Sequence, residues 1–288
     1  MSFFHRHRGL TPYLLLAPGL AWLAVFFVAP LGFLAYQSLQ SGSFDFGYEF
    51  TWAWENYREA ISTYHEHLIR SFVYAGLATV VALLVSYPLA YWIARYAPAN
   101  RRGLFLALII VPFWTSFLIR TYSFLIVLSP EFFLSDWLQS LRLTSAPLDV
   151  LYTTTAIQVG LVYNYLPLFV LPLYATLERM DWRLVDAATD LGASQWAAFR
   201  QITLRLTAPG LITGTLLVFI PMMGEYVIPL VLGGGRVDFI GNVIQRLFLE
   251  AQDYALGSAL ALLVMGSLSF FVALYLYLST RTEQEYGG

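Results

Sequence analysis

Apolar positions along the chain gather into six long stretches separated by more polar segments of 6 to 34 residues: 12–36, 71–96, 103–128, 152–176, 208–232 and 256–280. A helix of about 20 apolar residues, rising about 1.5 Å per residue, crosses the roughly 30 Å of bilayer hydrocarbon. The pattern therefore predicts six transmembrane helices and an all-α integral membrane fold. The first stretch exceeds the 7 to 15 apolar residues typical of a cleaved secretory leader, although Arg6 and Arg8 resemble the basic start of one, so it is expected to stay as a span. Residues 56–67 predict an amphipathic helix lying on the membrane surface, and a short helix is expected around 132–141, ended before Pro147. Prolines at 18, 30, 88, 112, 167, 172, 221 and 229 fall inside the spans and predict kinks. With no solenoid repeat, low-complexity tract or linker, residues 1–288 read as one transmembrane domain.

Composition agrees with a membrane protein and narrows its chemistry. Apolar residues make up 58% and charged residues 12% of the chain, where a soluble domain carries about 25% charged residues. A formal charge of -2 excludes a protein that works by neutralising phosphates. No cysteine is present, which excludes disulfides, thiolate metal sites and cysteine nucleophiles. All 16 basic residues are arginines, and their placement sets orientation, because cytoplasmic loops are enriched in positive charge. Ten (Arg6, Arg8, Arg95, Arg101, Arg102, Arg179, Arg183, Arg200, Arg205 and Arg281) fall on one side, and five (Arg58, Arg70, Arg142, Arg236 and Arg246) on the other. Both termini are thus expected to be cytoplasmic. Eleven acidic residues lie outside and six inside, so the external face is acidic, and, apart from Arg95 at the loop-side end of the second stretch, only Arg120 and Glu225 are charged within spans.

The cytoplasmic segment 177–207, between the fourth and fifth spans, reads as a helix-turn-helix. Asp181 is placed to cap a helix through Leu191, Gly192 to end it in a left-handed conformation, and Ser194 to cap a second helix reaching about Leu206. From physics alone this is either an amphipathic connector or a docking element. Its residues go further. Asp186-Ala187-Ala188, three residues, Gly192, nine residues, then Ile202-Thr203-Leu204 resembles the EAA signature of ABC importer permeases, E-A-A-x3-G-x9-I-x-L-P. Two positions depart from it: Asp186 stands for Glu, and Arg205 for the final Pro, with Pro209 four residues on.

The resemblance continues through Ile110-Val111-Pro112-Phe113-Trp114-Thr115, Leu118-Ile119-Arg120, Gly160-Leu161-Val162-Tyr163, Asp190-Leu191-Gly192-Ala193-Ser194 and Ile240-Gly241-Asn242-Val243-Ile244. These look like permeases of the PotB type from spermidine/putrescine importers. Gly224-Glu225-Tyr226-Val227-Ile228-Pro229, with Gly233-Gly234, is similar to related putrescine permeases. Together they cover roughly residues 87–276. The resemblance implies a MetI-like permease of a type I importer in a bacterial inner membrane, carrying a polyamine. It implies a second permease subunit of the PotC type, an external substrate-binding protein, and two ATPase subunits that hold ATP and Mg. It also implies that Asp186, Ala187, Ala188, Gly192, Ile202 and Leu204 couple this chain to the ATPase. Other importers on this frame carry iron, anions or sugars. The acidic external face argues against an anion, and a passive channel or membrane receptor has no use for a docking hairpin.

The sequence contains no G-x-x-x-x-G-K-[ST], and Gly233 to Gly235 on the external side read as a turn, not a phosphate cradle. His5, His7, His65 and His67 lack metal-ligand spacing. No catalytic residue and no cofactor of its own is therefore expected. Substrate handling is expected from polar groups in the bilayer. Glu225 could meet an ammonium group, with Tyr226, Trp114, Tyr163 and Tyr122 offering cation-π faces. The alternative for Glu225 is an ion pair with Arg120. Asn164 is either a pathway group or a bridge between helices.

Overall fold

The computed structural model describes residues 11–141 and 149–286. The expectations placed on His5, Arg6, His7, Arg8, Arg142 and Pro147 lie outside those residues. The chain forms two compact units, Met1–His65 with Ile244–Ser267, and Glu66–Val243 with Leu268–Gly288.

In the first unit, helix α1 (Thr11–Leu23) continues through a π-helical turn (Ala24–Val28) into α2 (Ala29–Ser38). The wide turn sits where Pro30, lacking an amide hydrogen, would otherwise crowd the carbonyl of Phe26. Segment Leu16–Ser38 is long and apolar enough to cross a membrane. It leads into an antiparallel hairpin, β1 (Gln40–Ser43) and β2 (Gly47–Phe50), with Gln40 opposite Phe50 and Ser43 opposite Gly47. Gly42 and Gly47 supply the positive φ angles of +130° and +85° that the reversal requires. Tyr48 holds the hairpin in place: its hydroxyl donates to the Gln252 carbonyl at 2.7 Å and accepts from the Tyr254 amide at 3.1 Å.

Helix α3 (Glu55–Arg95) has 41 residues and is about 61 Å long, twice the hydrocarbon thickness. Here the structure corrects the expectation of a separate surface helix at 56–67. The sequence Glu66-His67-Leu68-Ile69-Arg70 contains no glycine, proline or capping residue that would end a helix, so it runs on into the span.

The second unit carries the other spans. After a 3-10 turn (Ala99–Arg101), α4 (Arg102–Ile110) and another 3-10 turn (Val111–Trp114) meet α5 (Phe117–Val127) at a bend of 95°. The third apolar stretch is therefore a broken helix, not one straight span. Pro112 tightens the turn, Thr115 and Ser116 adopt extended ψ angles of 151° and 137°, and the Thr115 hydroxyl donates to the Pro112 carbonyl at 2.6 Å. Helix α6 (Phe133–Ser140) falls within the short helix expected around 132–141.

Helix α7 (Thr154–Glu178) is the hub. The chain returns through α8 (Arg183–Asp190), α9 (Gln195–Ala198), a π-helical turn (Phe199–Thr203) and α10 (Leu204–Leu206) to α11 (Ala208–Met223) and α12 (Val227–Gly233). Helices α13 (Ile240–Leu249) and α14 (Tyr254–Tyr286) complete it. Gly210 and Gly214, four apart on α11, let that helix close onto α7. A Cβ added at Gly214 would stand 2.7 Å from the Phe169 ring, and one at Gly210 2.9 Å from the Pro172 carbonyl. Small residues at this spacing are how membrane helices gain close packing in the absence of a hydrophobic drive. Gly160 against Ile228 and Gly233 against Ile157 bring α12 onto the same hub. Phe72 of α3 meets Phe219 of α11 and Phe271 of α14 at ring distances of 5.8 and 5.9 Å.

The fifth stretch is also broken. Helix α11 stops at Met223 and α12 starts at Val227, so the interruption lies at Gly224-Glu225-Tyr226 and not at the prolines. Pro229 falls in the first turn of α12, where its missing amide hydrogen costs no bond. Among the described residues four helices are long and apolar enough to span, or six with each bent pair counted as one.

Candidate functional site: a helical hairpin and a capped helix break

The hairpin forms as its local chemistry dictates. Gly192 has φ +92°, and its amide donates to the Thr189 carbonyl while that of Ala193 donates to the Ala188 carbonyl, both at 3.0 Å. These bonds satisfy the end of α8 through a left-handed residue. Ser194 Oγ accepts from the Ala197 amide at 3.2 Å, the expected cap of the second helix. The Asp181 assignment shifts: α8 begins at Arg183, after Trp182, and Asp181 Oδ1 accepts from the Arg183 amide at 3.1 Å in a turn ahead of the helix. Asp186 pairs with Arg95 at 2.6 Å, and the Arg95 guanidinium lies 5.0 Å from the Trp182 ring centre, tying the hairpin to the end of α3. Ala187 and Leu204 are exposed, and Ala188 and Ile202 half-buried. Sequence reasoning passed over the two residues that stand out most, Leu191 at 91% exposure and Trp196 at 70%, on either side of the turn. Large apolar side chains flanking a turn glycine in a charged loop were the available signal.

Within the apolar stretches the structure gives Glu225 a defined task. Its side chain is buried; Oε2 accepts from the Tyr165 hydroxyl at 2.6 Å, and Oε1 from the amides of Val227 and Ile228 at 2.8 and 3.3 Å. The carboxylate thus caps α12, where two first-turn amides have no carbonyl one turn back and the helix dipole favours negative charge. Asn242, also buried, donates through Nδ2 to the Tyr226 carbonyl at 2.8 Å and accepts at Oδ1 from the Phe239 amide at 3.0 Å. Ser71 Oγ accepts from the Ile240 amide at 2.7 Å. The segments 224–229 and 240–244 are therefore two halves of one joint.

Gly241 is the tightest point of that joint, since a Cβ there would lie 2.5 Å from the Gly224 carbonyl oxygen. Gly241→Ala should lower the stability of the purified protein by about 2 kcal/mol, an overpacking cost against backbone that cannot yield, read as a drop in thermal midpoint.

The alternative ion pair is overturned. Arg120 makes no bridge to Glu225; its guanidinium lies 4.1 Å from the Phe113 ring centre, with Nε and Nη1 lacking a hydrogen-bond partner. Asn164 does not bridge helices either, nor is it accessible: it is buried and donates to the Gly160 carbonyl of its own helix at 2.9 Å. Trp114, Tyr122, Tyr163 and Tyr226 are all exposed in the single chain, and Tyr163 meets Phe124 edge-on at 5.0 Å. Tyr165, the partner of Glu225, was not foreseen. Sixty residues separate the two, and no local pattern links them.

Residues 86–284 match the family described as binding-protein-dependent transport system inner membrane component. The chain is 38% identical over 256 residues to the spermidine/putrescine transport system permease protein PotB of Haemophilus influenzae, covering 88% of this chain and 89% of that one. It is 40% identical over 216 residues to PotB of Escherichia coli, covering 74% and 78%. It also superposes, with a TM-score of 0.70 and 17% identity, on a chain of the crystal structure of a bacterial alginate ABC transporter in complex with an alginate pentasaccharide-bound periplasmic protein, covering 97% of this chain and 96% of that one. The break in the fifth stretch, the small-residue contacts on α7 and the helical hairpin thus belong to a multi-pass transport permease, and the chain is a member of the binding-protein-dependent transport system inner membrane component family.

Proposed function

We propose that this chain is the permease subunit of an ATP-driven importer in the bacterial inner membrane and forms half of the path for a polyamine, spermidine or putrescine. The observation that carries the substrate class is the identity of 38 to 40% with polyamine permeases over most of the chain. The whole chain acts as one permease domain with both termini in the cytoplasm, which the arginine distribution supports. An external binding protein delivers the substrate, a second permease of the PotC type supplies the other half of the path, and two ATPase subunits hold ATP and Mg. No catalytic group and no cofactor belongs to this chain.

The hairpin is the coupling element, with Asp186, Ala187, Ala188, Gly192, Ile202 and Leu204 forming its frame and Leu191 and Trp196 its contact surface for an ATPase groove. In the path, the exposed rings of Trp114, Tyr122, Tyr163 and Tyr226 offer cation-π faces to an ammonium chain. Glu225 and Asn164 act behind them, holding α12 and α7 in shape. In a strain lacking its own polyamine importers, this chain with its partners should restore uptake of radiolabelled spermidine or putrescine, and unlabelled molybdate or maltose should not compete. Uptake of an anion or sugar in place of the polyamine would overturn the substrate assignment.

A further inference from the structure

Tyr87, Tyr91 and Arg95 follow one another at intervals of four residues in α3 and so share one face of its last turns. All three reach the hairpin. The Tyr87 hydroxyl lies 2.9 Å from the Thr207 hydroxyl, where the second arm ends, and its ring meets Phe199 edge-on at 5.5 Å. Tyr91 touches both arms, with its ring 5.5 Å from that of Trp182 and 6.0 Å from that of Phe199. Arg95 pairs with Asp186 of the first arm and lies over Trp182. Phe199 in turn stacks at 5.5 Å on the exposed Trp196. Ring contacts therefore run from the outer surface of the hairpin to the buried Tyr87.

The same helix is fastened farther up to the joint. Ser71 Oγ accepts from the Ile240 amide, the Tyr74 carbonyl accepts from Gln158 Nε2 at 3.1 Å, and the Tyr74 ring stacks on Phe239 at 5.7 Å. Between Ser71 and Arg95 the helix is unbroken, even at Pro88, and this stretch spans about 36 Å at roughly 1.5 Å per residue. The backbone joins the hairpin to α7 and α11, yet its ties to α3 bridge 91 and 120 residues of sequence. Stability does not account for the outermost tie, because Asp186 is 57% exposed and ion pairs so placed stabilise little. What that tie does is fix the position of the hairpin against one continuous helix.

We infer that Tyr91 and Arg95 are positioning residues for transport. They hold both arms of the hairpin against α3, so that movement of a docked hairpin shifts α3 as a rod and, through Ser71 and Tyr74, shifts the joint beside the exposed Tyr226. The inference rests on the reading of the hairpin as the coupling element and adds the residues outside it through which it acts. Contact alone does not demonstrate coupling, so the test reads both ends of the rod.

The test uses the full complex of tagged chain, second permease, ATPase and binding protein. Arg95→Gln should leave recovery of the ATPase with the tagged chain and the thermal midpoint as they are, because Leu191 and Trp196 are untouched, while uptake per ATP hydrolysed in proteoliposomes falls at least tenfold. Tyr91→Leu should lower that ratio as much, again with the ATPase recovered. Arg95→Asp combined with Asp186→Arg should regain at least half of the uptake that Arg95→Asp alone loses. The chain has no cysteine, so with cysteine-free partners a dye on Arg236→Cys, in the exposed turn ahead of Phe239, reports the joint. Its emission should change on ATP binding in the otherwise unaltered complex and not when Arg95→Gln is added. Unchanged uptake per ATP in Arg95→Gln or Tyr91→Leu overturns the inference, as does a swapped pair no better than Arg95→Asp. Loss of ATPase recovery or of thermal midpoint in step with uptake overturns it as well and assigns the contacts to folding of the hairpin. A dye signal that is absent from the start, or that persists with Arg95→Gln, removes α3 as the rod. If Gly192→Val keeps full uptake and ATPase recovery, the coupling reading itself fails, whatever the Tyr91 and Arg95 variants do.

Discussion

Glu225→Ala should lower the stability of the purified complex by about 3 kcal/mol, because it strands the Tyr165 hydroxyl and the amides of Val227 and Ile228 in a buried joint. Glu225→Gln keeps the shape and leaves an oxygen for the two amides. Tyr165 can rotate its hydroxyl to accept from the new NH2 group. Its cost is therefore limited to the loss of charge-assisted bonding and of the favourable charge at the start of α12, about 1 kcal/mol. Tyr165→Phe should cost about as much as Glu225→Gln, and the two changes together should not simply add, since both act on the one bond between residues 165 and 225. Thermal unfolding of the four variants and the unaltered protein, beside polyamine uptake, separates the roles. Stability falling in the order unaltered, Gln, Ala, with uptake following it, fits the capping role. Uptake lost in Glu225→Gln at unchanged stability would instead make the carboxylate a substrate ligand.

Gly192→Val should abolish transport while leaving the subunit in the membrane. At φ +92° a β-branched residue is strained by more than about 1 kcal/mol. A Cβ there would meet nothing within 4 Å, so the cost falls on the backbone turn and not on packing. The hairpin would relieve the strain by re-aiming α8 against α9, which moves Leu191 and Trp196 off a shared surface. Recovery of ATPase with the tagged chain should fall at least tenfold, and Gly192→Ala should lie between the two. Full uptake by Gly192→Val would remove the hairpin from coupling.

The parts of this molecule legible in the sequence are those written in short spacings. Six apolar stretches mark membrane-crossing segments, and Gly192 and Ser194 perform the turn and cap that their residue types suggest. What escaped reading depends on residues far apart or on context within an apolar run. Thr115-Ser116 and Gly224-Glu225-Tyr226 differ little in hydropathy pattern from kinked helix, yet both are breaks, fixed by the Thr115 hydroxyl and by the Glu225 cap. The prolines, which do carry a local signal, guide only in part: Pro112 lies at the 95° break, but Pro167 and Pro172 sit inside an unbroken α7, and Pro229 inside the first turn of α12. The β1–β2 hairpin is similar, since its hold on the chain comes from Tyr48 reaching Gln252, more than 200 residues away. Arg120 was legible as an anomaly but not in its surroundings, because a ring contact with Phe113 and a missing counter-ion become visible only once the helix bends.

The most direct test of the account is ATP hydrolysis by the purified complex in lipid nanodiscs, measured with a panel of substrate-loaded binding proteins. Stimulation by the polyamine-loaded protein alone, lost when the chain carries Gly192→Val, is the predicted result. Stimulation by an anion-loaded or sugar-loaded protein, or polyamine-dependent hydrolysis untouched by Gly192→Val, would contradict it.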